Sequence, residues 1–123
     1  MATVTRVLPW RRHSQPPAME VQEIIEQFRT FHPRRSTETI TDSYRMAAGA
    51  HKGQLRRSGE PYITHPLAVA GIVARYGMDD VTIAAALLHD AVEDTVITLE
   101  ELDEHFGPEV TAIVDGVTKL ERV

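Results

Sequence analysis

The sequence predicts an all-α fold, a bundle of about six helices. In several segments apolar residues recur with the 3.6-residue period of an amphipathic helix, and no segment of useful length alternates as a half-buried strand does. Capping residues, glycines and prolines separate these segments. With 123 residues, 42% of them hydrophobic and 25% charged, the chain is typical of one modest soluble domain with a single core.

The first two predicted helices precede a loop. The first covers residues 20–31, where apolar side chains share one face, and His32-Pro33 stops it. The second is predicted from about residue 36 to about residue 54, with a serine, a threonine and a glutamate at its start. The loop is predicted over residues 55–64, because Ser58-Gly59-Glu60-Pro61 is a strong turn signal.

The next two predicted helices flank a short connection. The third covers about 66–76, with Pro66 in its first turn, and Gly77 ends it. Asp79 is predicted to cap the fourth, over about 80–92. Within this helix, the stretch from Val81 to Leu88 has one polar residue and indicates a helix that is buried nearly all round.

Two shorter helices complete the predicted bundle. Thr98 and Glu101 have the spacing of a capping box and predict a fifth helix that runs to Phe106. A sixth is predicted over about 108–115 and is expected to stop at Gly116.

Composition and charge limit the domain organisation and the function. Residues 1–19 are expected to be disordered, because they are rich in proline and arginine and lack periodicity, and residues 20–123 form the predicted domain. Without cysteine, any metal site must use His and carboxylate ligands. No apolar run approaches the roughly 18 residues of a membrane span, and no signal peptide is evident, so we expect a cytoplasmic location without membrane contact.

Charge is distributed unevenly along the chain. The overall formal net charge is −5. Residues 1–57 are basic and residues 58–123 are strongly acidic, which fits an anionic ligand held between cations and a carboxylate site that carries a metal. The alternative interpretation of this charge distribution is that both halves simply present ordinary solvated surfaces. The acidic half and the lack of an aromatic and basic surface argue against direct nucleic-acid binding.

Five ionisable residues form the most informative pattern in the sequence. His89-Asp90 and Glu93-Asp94 follow the apolar helix with spacings of three and four residues, so their side chains can converge near its end. His65 begins its own helix and can point at the same volume. Two His and one Asp suit Mn²⁺, Fe²⁺ or Zn²⁺, and Glu93 and Asp94 are left to act as base, acid or water-orienting groups. Taken singly, each of these residues is more often a solvated or structural group.

Three longer strings resemble the hydrolase domain of the RelA/SpoT proteins, within the HD phosphohydrolase superfamily. The first runs from Arg56 through Ser58-Gly59-Glu60-Pro61-Tyr62 to His65-Pro66, the second from Ala86 to Thr95, and the third from Val114 to Leu120. Those proteins are bifunctional synthetase/hydrolases of guanosine tetra- and pentaphosphate, (p)ppGpp, the alarmone of the stringent response. The resemblance covers about residues 38–123.

The resemblance implies Mn²⁺-dependent hydrolysis of the 3′-diphosphate of (p)ppGpp by an HD-domain helical bundle. His65, His89 and Asp90 match metal ligands, and Glu93 and Asp94 match the pair that activates and positions the attacking water.

The same resemblance places three further residues in the nucleotide pocket. Arg56 matches the residue that stacks on guanine, with Arg57 and Ser58 beside it. A planar guanidinium suits this role, since it can stack on a base or form a fork of hydrogen bonds to phosphate.

Two departures from the family pattern leave alternatives open. The family's fourth metal ligand is an Asp downstream of Thr118-Lys119-Leu120, where this sequence ends, and Asp115 is expected to be a capping or turn residue beside Gly116 instead. The synthetase and regulatory domains are missing as well, so we expect a C-terminally incomplete HD domain. The alternatives are a catalytically weak remnant that binds nucleotide or metal, and an HD phosphohydrolase of other nucleotide specificity.

Overall fold

A computed structural model describes residues 20–121, which form a bundle of six helices. They are α1 (Val21–Phe31), α2 (Glu38–Ala50), α3 (Thr64–Arg75), α4 (Asp80–Asp94), α5 (Leu99–Phe106) and α6 (Pro108–Glu121). Within these residues there is no strand, and the single bridge joins Leu55 to Pro61 at the base of a loop. The predicted all-α class is therefore confirmed. The expected disorder of residues 1–19 lies outside the described part of the chain.

Helix α4 is the centre of the bundle and contributes to both halves of the core. It packs against α2, α3 and α6, while α1 lies on α3 and α5 lies on α6. Ile83 and Leu87 join a core cluster with side chains of α1, α2 and α3, and Leu88 joins a second cluster with α2, α5 and α6. No residue from Val81 to Leu88 is exposed, as the apolar run predicted.

Capping residues fix where α4 and α5 begin. The Asp79 carboxylate accepts hydrogen bonds from the Thr82 backbone N–H at 2.9 Å and from the Thr82 hydroxyl at 2.7 Å. Thr98 and Glu101 form the predicted reciprocal capping box. Both caps satisfy N–H groups that a helix start leaves without intrahelical partners. The position of α4 is therefore set at its first turn, about three to four turns before the residues predicted to carry chemistry.

Three predicted helix ends were wrong. Helix α2 ends at Ala50 rather than near Gln54, because the Gln54 N–H turns back to the His51 carbonyl at 2.9 Å and Gly53 has a φ of +82°. Helix α4 continues past residue 92 to Asp94. Helix α3 begins two residues earlier than predicted, at Thr64.

The sixth helix does not stop at Gly116. It runs to Glu121, because Val114 and Thr118 on either side of the glycine are both buried, and burial outweighs the roughly 1 kcal/mol that a glycine costs inside a helix. Asp115 is therefore not a capping or turn residue. It lies within the helix and forms an ion pair with Lys119 at 3.1 Å.

Candidate functional site

Three of the predicted site residues converge between α3 and α4. His65 stands in the first turn of α3, and His89 and Asp90 stand in the penultimate turn of α4. His65 Nε2 lies 3.4 Å from Asp90 Oδ2, and His89 Nε2 lies 3.1 Å from Asp90 Oδ1. Each residue offers one ligand atom, and these atoms lie within 4.8 Å of one another. This separation lets one small cation contact all three.

Asp90 is held as a carboxylate in a largely buried position. Its side chain is only 9% exposed, against 12% for His89 and 38% for His65. Burial by itself raises the pKa of Asp90, but the hydrogen bond and charge of His89, with Tyr62 and His65 adding to them, outweigh burial and lower the pKa below its ordinary value. The site therefore keeps a negative charge at its centre at neutral pH.

The tautomer of His89 prepares it as a ligand. Its Nδ1 lies 2.9 Å from the Ala86 carbonyl oxygen, which can only accept a hydrogen bond, so Nδ1 carries the proton. In the neutral imidazole, Nε2 then presents a lone pair to Asp90 Oδ1. Two acceptor atoms 3.1 Å apart are held together by a proton or a cation between them. A backbone carbonyl that orients a histidine in this way is a common support of metal ligands.

The donor set fits a first-row divalent metal. Two imidazole nitrogens and one carboxylate oxygen suit Mn²⁺, Fe²⁺ or Zn²⁺ better than Ca²⁺, which prefers oxygen ligands throughout. The half-exposed His65 leaves one side of the group accessible from solvent. Three protein ligands with an open side are the arrangement of a catalytic rather than a structural metal site.

Glu93 and Asp94 occupy the last turn of α4, one turn beyond the histidine and aspartate. Both are exposed, and Asp94 Oδ2 lies 3.3 Å from the Tyr62 hydroxyl. The same hydroxyl lies 3.1 Å from Asp90 Oδ2. The structure therefore connects Asp94 to the histidine–aspartate cluster through Tyr62, and it places Glu93 beside Asp94 on the open side of α4.

The predicted nucleotide residues stand on a separate loop. Arg56 and Ser58 lie at its tip, where the guanidinium is 3.8 Å from the Glu60 carboxylate and the Ser58 hydroxyl is 3.2 Å from it. Arg57 is exposed between them. The Arg56 N–H donates to the Glu60 carbonyl at 2.8 Å, and the Gly59 N–H donates to the Arg56 carbonyl at 2.8 Å. The loop thus presents two cations away from the core, and its base leads directly to α3 and His65.

Two residues next to the site escaped prediction from the sequence. The sequence assigns Tyr62 no role beyond its place in the family string. It places His51 on the predicted apolar face of the second helix, at helical spacing from Ile40, Tyr44 and Ala47. His51 is 2% exposed, and its ring stacks on Tyr62 with centroids 4.6 Å apart. The pKa of Tyr62 is raised well above its ordinary value. The largest cause is burial, and the charges and hydrogen bonds of Asp90 and Asp94 add to it. A histidine on a predicted apolar face was the signal that could have found this pair.

Comparison with known proteins shows the family to which this chain belongs. The model of a protein family described as "HD domain" matches residues 43–123. A probable GTP pyrophosphokinase of Mycobacterium leprae is 48% identical over 122 residues, 99% of this chain and 15% of that protein. A guanosine-3′,5′-bis(diphosphate) 3′-pyrophosphohydrolase of Vibrio cholerae is 54% identical over 86 residues, 70% of this chain and 12% of that protein.

A third relative has both activities in its name. The bifunctional (p)ppGpp synthase/hydrolase SpoT of Escherichia coli is 42% identical over 102 residues, 83% of this chain and 14% of that protein. The chain thus spans about one seventh of the length of such relatives. It belongs to the HD-domain family, in its RelA/SpoT branch. None of the described helices is long and apolar enough to cross a membrane.

Proposed function

We propose that this domain hydrolyses the 3′-diphosphate of guanosine tetra- and pentaphosphate with Mn²⁺ held by His65, His89 and Asp90. The observation that carries the proposal is the convergence of these three ligand atoms within 4.8 Å at the end of the buried helix α4. The names of the Vibrio cholerae and Escherichia coli relatives supply the substrate. The identity over most of this chain makes the same substrate the best-supported one here.

In the proposed reaction the cation and the Glu93–Asp94 pair have separate roles. A divalent cation lowers the pKa of bound water and withdraws charge from phosphate oxygens. Glu93 and Asp94 accept the proton of the attacking water and orient it, from positions beside the cluster. The water oxygen bonds to the phosphorus next to the ribose, the bond from that phosphorus to the 3′ oxygen breaks, and the 3′ oxygen takes up a proton. The products are pyrophosphate and guanosine 5′-diphosphate from the tetraphosphate, or guanosine 5′-triphosphate from the pentaphosphate.

Recognition of the guanine nucleotide is assigned to the loop that carries Arg56, Arg57 and Ser58. The two guanidinium groups are exposed at its tip. A guanidinium can stack on the base and also neutralise a substrate with four or more phosphates. Glu60, which pairs with Arg56 at 3.8 Å, holds the loop in shape until a phosphate or base competes for the cation.

The direct test is release of pyrophosphate from guanosine tetraphosphate by the 123-residue chain, with Mn²⁺ and with a chelator. The expected result is metal-dependent release that Glu93→Gln lowers by about 10²–10⁴-fold, the usual contribution of a general acid or base. Glu104→Gln, an exposed glutamate on α5, is the matched control and should retain activity. GTP serves as the competing substrate, and equal hydrolysis of both nucleotides would favour an HD phosphohydrolase of other specificity.

A second candidate function follows from the size of the ligand set. Within residues 20–121, one group of three side chains, two His and one Asp, lies close enough to share an ion. A site with more protein ligands would hold the metal more tightly. A domain that binds Mn²⁺ and nucleotide without turnover has the same contacts. Binding of both ligands by calorimetry, with pyrophosphate release equal to the chelator control, would support this function and exclude hydrolysis by this chain.

A further inference from the structure

One phenol stands between the two carboxylates of α4. The Tyr62 hydroxyl is 3.1 Å from Asp90 Oδ2 and 3.3 Å from Asp94 Oδ2. A phenol has a single proton to donate, so it either alternates between the two acceptors or is shared by them. Tyr62 thereby joins a proposed metal ligand to a residue proposed to serve the water.

A buried histidine fixes the ring that carries this hydroxyl. His51 is 2% exposed and stacks on Tyr62 with an interplanar angle of 30°. Gln54 holds both partners, since its side-chain oxygen lies 2.7 Å from His51 Nδ1 and its backbone carbonyl accepts the Tyr62 N–H at 2.8 Å. These contacts restrict the ring at its backbone and at one face, and they leave the hydroxyl directed at α4.

We propose that Tyr62, supported by His51, is a positioning residue that sets the orientation of Asp90 for the cation and couples Asp90 to Asp94. The proposal rests on the metal site proposed above. A carboxylate that gives one oxygen to a cation has a second oxygen that needs a donor, because a buried acceptor without a hydrogen-bond partner is destabilising. The Asp90 side chain is 9% exposed, and the Tyr62 hydroxyl lies within hydrogen-bond distance of its Oδ2.

The histidines cannot replace Tyr62 in this role once they bind a cation. A coordinating imidazole directs a lone pair, not a proton, at the metal. The contacts of His65 and His89 with Asp90, at 3.4 and 3.1 Å, then no longer supply donors to the carboxylate. A phenol is neutral at physiological pH, since its ordinary pKa is about 10, and Tyr62 therefore has a proton to donate. It is therefore the neutral donor that remains.

The test measures Mn²⁺ affinity by calorimetry on the 123-residue chain. Tyr62→Phe retains the stacked ring and removes the hydroxyl, and we expect it to weaken Mn²⁺ binding by about 10–100-fold, as loss of a hydrogen bond behind a metal ligand does. Tyr76→Phe is the matched control, because Tyr76 is 77% exposed at the far end of α3. The unfolding free energy of the metal-free proteins is measured in parallel. A merely structural Tyr62 would lower that free energy and leave Mn²⁺ affinity unchanged.

Variants of His51 keep the proposal testable if Tyr62→Phe fails to fold. His51→Ala removes the stacking ring and should weaken Mn²⁺ binding, whereas His51→Phe retains a ring and should restore most of the affinity. Equal Mn²⁺ affinity of the wild type and all folded variants of Tyr62 and His51 would overturn the positioning role. Absence of Mn²⁺ binding in the wild type would instead overturn the proposed metal site, so the two failures are distinguishable.

Discussion

Binding of Mn²⁺ between α3 and α4 should raise the stability of the domain measurably. A cation held by His65, His89 and Asp90 joins two core helices and binds the folded state alone, because the unfolded chain does not bring these residues together. At free Mn²⁺ of about 100 times the dissociation constant, the gain is about 2.7 kcal/mol. In a domain of about 100 residues, that gain corresponds to a rise of roughly 10–20 °C in Tm.

Substitution of one ligand should remove this gain. His89→Ala deletes the more buried of the two imidazoles and should abolish the Mn²⁺-dependent rise in Tm. In isothermal calorimetry it should lose the one equivalent of bound Mn²⁺ that we expect for the wild type. His105→Ala, on the exposed face of α5, is the matched control and should retain the full rise. Differential scanning calorimetry with and without a chelator measures both variants under the same conditions.

The pH dependence gives an independent check on the ligands. Metal and protons compete for the same imidazole nitrogens, and an unperturbed histidine has a pKa of about 6.5. Mn²⁺ binding should therefore be fully developed above about pH 7 and should weaken as pH falls below about 6, by up to tenfold per pH unit for each displaced proton. If His89→Ala binds Mn²⁺ with wild-type affinity, or if the wild-type affinity does not change between pH 7 and pH 5, the ligand assignment is wrong.

Two further predictions concern the loop and the start of α4. Arg56→Ala should weaken binding of guanosine tetraphosphate in calorimetry and leave Mn²⁺ binding intact, whereas Arg45→Ala, an exposed arginine with a similar ion pair at 3.7 Å, should change neither. Asp79→Ala should cost about 1 kcal/mol of unfolding free energy in urea at pH 7, through loss of the bonds to Thr82. Burial raises the pKa of Asp79, but the hydrogen bonds from Thr82 outweigh burial and lower the pKa in the folded state. The stabilisation by this cap is therefore complete above the unfolded-state pKa of about 4, and it disappears as pH falls through the lower folded-state pKa. Asp79→Asn should retain the cap without that pH dependence.

The central helix could be predicted well because its signals are local and agree with one another. The apolar run from Val81 to Leu88 predicted burial, and Asp79 predicted the start of α4. The spacing of His89, Asp90 and Asp94 predicted a shared face, and the contacts of Asp90 and Asp94 with the same hydroxyl fit that spacing. Helix periodicity determines such arrangements without reference to the rest of the chain.

Two of the errors came from contacts between segments distant in sequence. Gly116 carries a local stop signal, but burial of Val114 and Thr118 in the bundle continues α6 through it. The stacking of His51 on Tyr62 joins the end of α2 to the loop before α3, and no periodicity links these positions. Tertiary packing decides both outcomes, and a single sequence gives no direct signal of it.

Helix α4 explains why the site and the core cannot vary independently. Leu87 and Leu88 are fully buried in the two core clusters, and His89 and Asp90 follow them directly. Because adjacent helical residues differ by about 100° in direction, the leucines fix both the rotation and the depth of the helix, and hence where the ligands point. A shift of α4 by one residue in one direction would turn His89 into the core position of Leu88, and in the other direction it would put Leu88 in the position of His89. The dense core therefore holds the candidate ligand atoms within reach of one cation, and the exposed parts of the proposed site lie on the loop of Arg56 and at the end of α4.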